Sequence, residues 1–110
     1  MAKGDSPVLE TLVELNAVSL ARTELDIRSL MLVRIAALVA VDAPTSSYLL
    51  HVGPSVDAGL TAKDAEDVLV AVAPIVGAPR AASAAVKMAE ALDLAISFAI
   101  EQSERSGRSE

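Results

Sequence analysis

The chain has 110 residues, a length that builds one hydrophobic core and hardly two, so one domain is expected. A net charge of −6 with no two Lys/Arg residues adjacent lacks the electrostatic footprint of a nucleic-acid binder. The absence of cysteine removes disulfides, thiolate nucleophiles and cysteine-ligated zinc or iron-sulfur centres.

With 53% apolar residues but only 2% aromatic, the interior must be filled by Ala, Val, Leu and Ile. Small side chains let helix axes approach closely, and no stretch alternates with period two, so the expected fold is all-α. A first helix starts at Asp5 or Ser6 with Pro7 in its first turn, where the missing N–H costs nothing. Val8, Leu9, Leu12, Val13, Leu15 and Leu20 follow helical spacing, with Glu10 and Glu14 opposite.

A second helix is capped by Asp26 and runs to about Val41. Residues 35–41 are apolar on every side, the mark of a buried segment. Arg34 adjoins that segment and must snorkel to the surface or find a partner, which favours a structural role. Asp42, Ala43 and Pro44 break the chain before a third helix carrying Ser46, Ser47, Tyr48 and His51. Pro54 forfeits the bond to the Leu50 carbonyl and clashes with it, which predicts a kink or an end just past His51.

Gly59 suits a left-handed cap, and Thr61 with Asp64 forms a capping box opening a fourth helix with Ala65, Val68, Leu69, Val72 and Ile75 on one side. Pro74 should distort its last turn before Gly77 stops it. Pro79 starts a long fifth helix to about Gln102, in which Ser83, Lys87, Glu90, Ser97 and Glu101 form a polar stripe with Asp93 at its edge. The charged, Ser-rich residues 103–110 read as a flexible polar tail after a domain at 1–102.

So much apolar surface needs a destination. The greasiest uncharged run, residues 68–79, is shorter than the roughly 20 residues of a membrane span and is broken by Pro74 and Gly77. No membrane partner is expected, and copies of the same chain are the expected cover. Residues 1–6 carry one Lys and no apolar run, so no signal peptide is expected and the cytoplasm is the default location.

His51 is the only histidine, and imidazole is the side chain that both takes and gives a proton near neutral pH. Ser47 lies one helical turn before it and Tyr48 three residues before, so hydroxyls share its face. A lone histidine is also often a hydrogen-bonded structural residue, and the residues alone leave both readings open. One histidine with scattered carboxylates offers no H-x-x-x-H or E-x-x-H pair, so no metal is expected. Asp64, Glu66 and Asp67 early in the fourth helix are explained by the helix dipole. No G-x-x-x-x-G-K-[ST], G-x-G-x-x-G or G-x-S-x-G occurs, so no nucleotide cradle, hydrolase elbow or cofactor is expected.

His51, Gly59-Leu60-Thr61, the acidic capping segment at 64–69 and Gly77-Ala78-Pro79 fall in one register. That register resembles the carboxymuconolactone decarboxylase and alkylhydroperoxidase D superfamily over residues 25–92. The resemblance implies a compact single-domain bundle of about five to six helices, alkylhydroperoxidase D-like, assembled as a homotrimer or homohexamer. Its peroxidase branch carries C-x-x-C-x-x-x-H with an upstream glutamate. Here Pro44 and Ser47 occupy the cysteine positions and Leu32 falls near the glutamate position. A hydroxyl is not a redox thiol, so thiol peroxidase chemistry is not expected.

The decarboxylase branch keeps the histidine without the cysteine pair. It implies His51 as general acid/base on a small carboxylated or lactone substrate, a lyase-type step. Ser47 or Tyr48 would orient the ring or the substrate, and Arg34 would hold a carboxylate. That branch has an aromatic two residues before the G-x-P glycine, where this chain has Ile75. The alternative is a non-catalytic oligomeric binding or structural member, which predicts His51 packed or bonded only to backbone and no cavity beside it.

Overall fold

The computed structural model describes residues 6–108. They form five helices and no strand: α1 (Ser6–Arg22), α2 (Ile27–Ala40), α3 (Thr45–Asp57), α4 (Ala62–Val76) and α5 (Ala78–Arg108). The all-α class read from composition holds. Asp5, one of the two expected starts of α1, lies outside the described residues.

The caps follow side-chain chemistry. The Asp26 carboxylate accepts from the Ser29 N–H at 2.8 Å, satisfying one of the orphan donors at the start of α2. After α2 the chain turns through Asp42 in the left-handed region (φ 53°), with Ala43 N–H donating to Leu38 O at 3.0 Å. Aspartate tolerates that conformation better than most residues. Gly59 (φ 87°) makes the same turn after α3, where Leu60 N–H donates to Ser55 O at 2.9 Å. At the head of α4 the Thr61 N–H donates to Asp64 Oδ2 at 2.8 Å while the Asp64 N–H donates to Thr61 Oγ1 at 3.2 Å, the expected capping box.

Two expectations change. Pro54 lies inside α3, which continues to Asp57 instead of ending just past His51, whereas Pro74 lies in the last turn of α4 before Gly77, as expected. A single proline removes one backbone bond, and Leu50, whose carbonyl is the group left over, is 75% exposed. The loss therefore falls on the solvent side of α3. The second change is at the end of the chain, where α5 runs past Gln102 to Arg108 instead of giving way to a tail at Ser103. Gln102 and Glu104 are good helix formers, and Glu101 and Arg105 stand four apart in the favourable order.

α2 packs against α3, α4 and α5, and α5 also packs along α3 and α4. One cluster joins Leu30, Met31 and Ile35 of α2 to Leu60 and Val68; a second joins Val39, Ala43 and Tyr48 to Ala84 and Ala91 of α5. Val39 is wholly buried, worth about 1.5–3 kcal/mol relative to exposure. The segment 35–41 is buried only along Ile35 and Val39, and Val41 is 71% exposed. The polar stripe of α5 points at the α2–α3 link: Ser83 Oγ and Lys87 Nζ donate to Asp42 Oδ1, each at 3.0 Å, and Thr45 Oγ1 donates to Glu90 Oε1 at 2.8 Å. Lys87 and Ser83 hold the Asp42 carboxyl below its usual pKa.

α1 stands apart. It buries no residue and packs against none of the other helices. Val13 is 66% exposed, and the far half of α5 is similarly bare, with Phe98 at 54%. Among the described residues no helix is long and apolar enough to cross a membrane.

Candidate functional site

Helical spacing builds the site. Tyr48, His51, Val52 and Ser55 of α3 are separated by three, one and three residues, which puts them on one face. That face lines a cavity of about 360 Å³ closed by Ile35 of α2, the α3–α4 turn at Leu60 and Thr61, Ala65, Glu66 and Leu69 of α4, and Met88 and Leu92 of α5. The volume is near the lower end of the roughly 300–1,000 Å³ of small-molecule sites.

His51 is half-buried, and its Nδ1 lies 2.8 Å from the Ser47 carbonyl oxygen. A carbonyl only accepts, so Nδ1 carries the hydrogen, and in the neutral ring Nε2 keeps a free lone pair. No hydrogen bond occupies Nε2 among the described residues. One turn of helix thus fixes both the tautomer and the angle of the imidazole. The resulting ring, with one nitrogen unbonded, is among the residues lining an apolar cavity.

Two hydroxyls accompany it. Tyr48 is 4% exposed, and its Oη is buried without a hydrogen-bond partner; the Ser55 Oγ is in the same condition. Native folds satisfy nearly all buried polar atoms, and here two residues of one cavity wall each carry a hydroxyl with no partner in the protein. Burial, and then the negative charge of Asp42, push the Tyr48 pKa up, so its hydroxyl stays a donor.

The expected site residues divide. Tyr48 and His51 meet at the cavity. Ser47 holds the ring through its carbonyl, with its hydroxyl making no bond to His51. Arg34 does not reach the cavity: its Nη1 donates to Asn16 Oδ1 at 2.6 Å and its Nη2 to Ser19 Oγ at 2.9 Å, fastening α1 to α2. Successive helix residues are about 100° apart, so with Ile35 turned to the cavity Arg34 must face elsewhere. Its tie to α1 is the structural role favoured from sequence. Ser55, by contrast, escaped the sequence reading, although its place four residues after His51 was the available signal.

The electrostatics nearby are acidic. Glu66 is the one charged side chain lining the cavity. Beyond it, Arg28 Nη2 pairs with Asp64 Oδ1 at 2.9 Å and Arg28 Nη1 donates weakly to Gly59 O, locking α2 to the α3–α4 turn. With Arg28 and the Thr61 N–H donating to it, the Asp64 carboxyl is pulled down to about 2. Among the described residues no three His, Asp or Glu side chains converge as metal ligands.

The profile of the carboxymuconolactone decarboxylase family matches residues 6–91. The chain belongs to the carboxymuconolactone decarboxylase family. The match covers α1 to α4 and the first half of α5, so it includes the whole cavity up to Ala91 and extends the likeness seen in sequence toward the N-terminus. Family membership accords with the strand-free architecture and includes α1, the helix that buries no residue in its own chain. Comparison with curated proteins and with solved structures gave no significant match.

Proposed function

We propose that this carboxymuconolactone decarboxylase family member is a proton-transfer enzyme in which His51 Nε2 is the general acid/base for a small lactone or other carbonyl substrate held in the α3–α5 cavity. The observation carrying this reading is the His51–Ser47 bond, which leaves the basic nitrogen free at an apolar cavity. Nε2 takes a proton from the carbon beside the carbonyl, the electron pair moves onto the carbonyl oxygen, and Tyr48 Oη donates a hydrogen bond to the enolate formed. The imidazolium then returns the proton to carbon. For a substrate that loses carbon dioxide, the pair of the broken carbon–carbon bond moves onto the carbonyl oxygen as carbon dioxide leaves, and an imidazolium protonated from solvent gives its proton to the carbon left behind. The Ser47 carbonyl stabilises the imidazolium while it lasts.

A purely structural member of the family would share the backbone-only bond of His51, and it is the cavity beside the ring that favours the catalytic reading. The carboxylate clamp expected of Arg34 has no support, because that side chain is engaged with α1. With no cysteine in the chain, no thiol exists to reduce a hydroperoxide. The test offers carboxymuconolactone and an uncarboxylated unsaturated lactone to the wild type and to His51→Gln. Product from at least one substrate with the wild type and none with the variant is expected. No product from either, or an unchanged rate in the variant, contradicts the proposal.

We further infer that the working form is a homo-oligomer, a trimer or hexamer, in which a second copy covers α1 and the far half of α5. A 17-residue helix is marginal alone in water, and α1 has no helix of its own chain to rest on. The location expected from the sequence is the cytoplasm.

A further inference from the structure

We propose that the cavity at His51 selects an uncharged, mainly aliphatic molecule bearing one carbonyl or hydroxyl oxygen, and discriminates against carboxylates; this rests on the reading of that cavity as the substrate site. The first observation is where the cations are. Between residues 27 and 104 the chain has five, Arg28, Arg34, Lys63, Arg80 and Lys87. None lines the cavity. Arg28 is paired with Asp64, Lys63 with Asp67 and Lys87 with Asp42. Arg34 holds Asn16 and Ser19, and Arg80 donates to the Ala40 carbonyl.

The second observation is the wall itself. Ile35, Val52, Leu69, Met88 and Leu92 give an aliphatic surface, and the single charge, Glu66, is negative. A carboxylate entering would leave water with no cation to meet it, a desolvation cost that an uncharged carbonyl escapes. The chain's net charge of −6 adds repulsion at longer range. The third observation is the orphan hydroxyl of Tyr48, a buried donor lacking the acceptor that a ligand oxygen would supply.

The test uses cyclohexyl methyl ketone and cyclohexanecarboxylate, which share a ring and differ chiefly in a methyl against an ionised oxygen. The full chain in its native assembly is titrated with each at neutral pH. Binding is read from the ring resonances of His51 and Tyr48, each the sole residue of its type. The ketone is expected to move both sets of signals with a Kd at least about tenfold below that of the carboxylate. Tyr48→Phe should weaken the ketone by about tenfold. His51→Gln should still bind the ketone, read through Tyr48, so that loss of catalysis and loss of selectivity are separable. Equal or tighter binding of the carboxylate, no movement of either ring with either probe, or full ketone affinity in a folded Tyr48→Phe protein would overturn the proposal.

Discussion

His51 Nδ1 donates to the carbonyl oxygen of Ser47, 2.8 Å away and one turn earlier on α3. The bond commits the neutral ring to a single tautomer. Nitrogen-15 spectra of the sole histidine should therefore show Nδ1 protonated and Nε2 bare at a pH where the ring is uncharged. An Nε2-protonated neutral ring would remove the proposed base.

Tyr48 hides a hydroxyl that nothing in the chain satisfies. Tyr48→Phe is accordingly expected to leave stability unchanged or raise it by about 1 kcal/mol, since it removes an unpaid desolvation. Urea unfolding measures this, and a loss of stability above about 1 kcal/mol would reveal a hidden partner for the hydroxyl. In the wild type, phenolate absorbance should appear only above the ordinary tyrosine range, because burial raises its pKa.

The Arg28–Asp64 pair ties α2 to the turn that carries Leu60 and Thr61 at the cavity edge. Asp64 has a folded pKa of about 2 against an ordinary value of 3.8, so the folded state holds it ionised more readily than the unfolded chain does. Its contribution to stability is complete above about pH 4 and is lost as the pH falls through about 2. Denaturation curves across that window should show a decline that Asp64→Asn makes shallower. An identical decline in the variant would assign acid sensitivity to other carboxylates.

α1 is fastened to its own chain through Arg34 and exposes its aliphatic side chains. Leu9→Glu with Leu12→Glu, two positions on one side of α1, should reduce the particle seen by light scattering toward a single chain while helicity is kept. A wild type that scatters as one chain at working concentration would count against self-association.

Fold class was legible because it depends on local rules. Asp26, Gly59 and the Thr61–Asp64 box cap their helices as their chemistry requires, and the period of apolar residues located every element. The errors arose where packing decides. A helix-interior proline reads as a break, but Tyr48 and Val52 anchor α3 from one side and Pro54 is carried through. The site was half legible: Tyr48 and His51 could be placed on one face by counting, and Ser55 by the same count extended one turn. For Arg34 the need of a partner was legible but not the partners themselves, because Asn16 and Ser19 sit on another helix.

The most direct measurement of the central claim is carbon-bound proton exchange. In heavy water, the protein should speed deuterium uptake at the carbons beside the carbonyl of cyclohexyl methyl ketone, and His51→Gln should lower that rate by about a hundredfold or more while still binding the ketone. Equal uptake with wild type and with a ketone-bound His51→Gln protein would contradict the account.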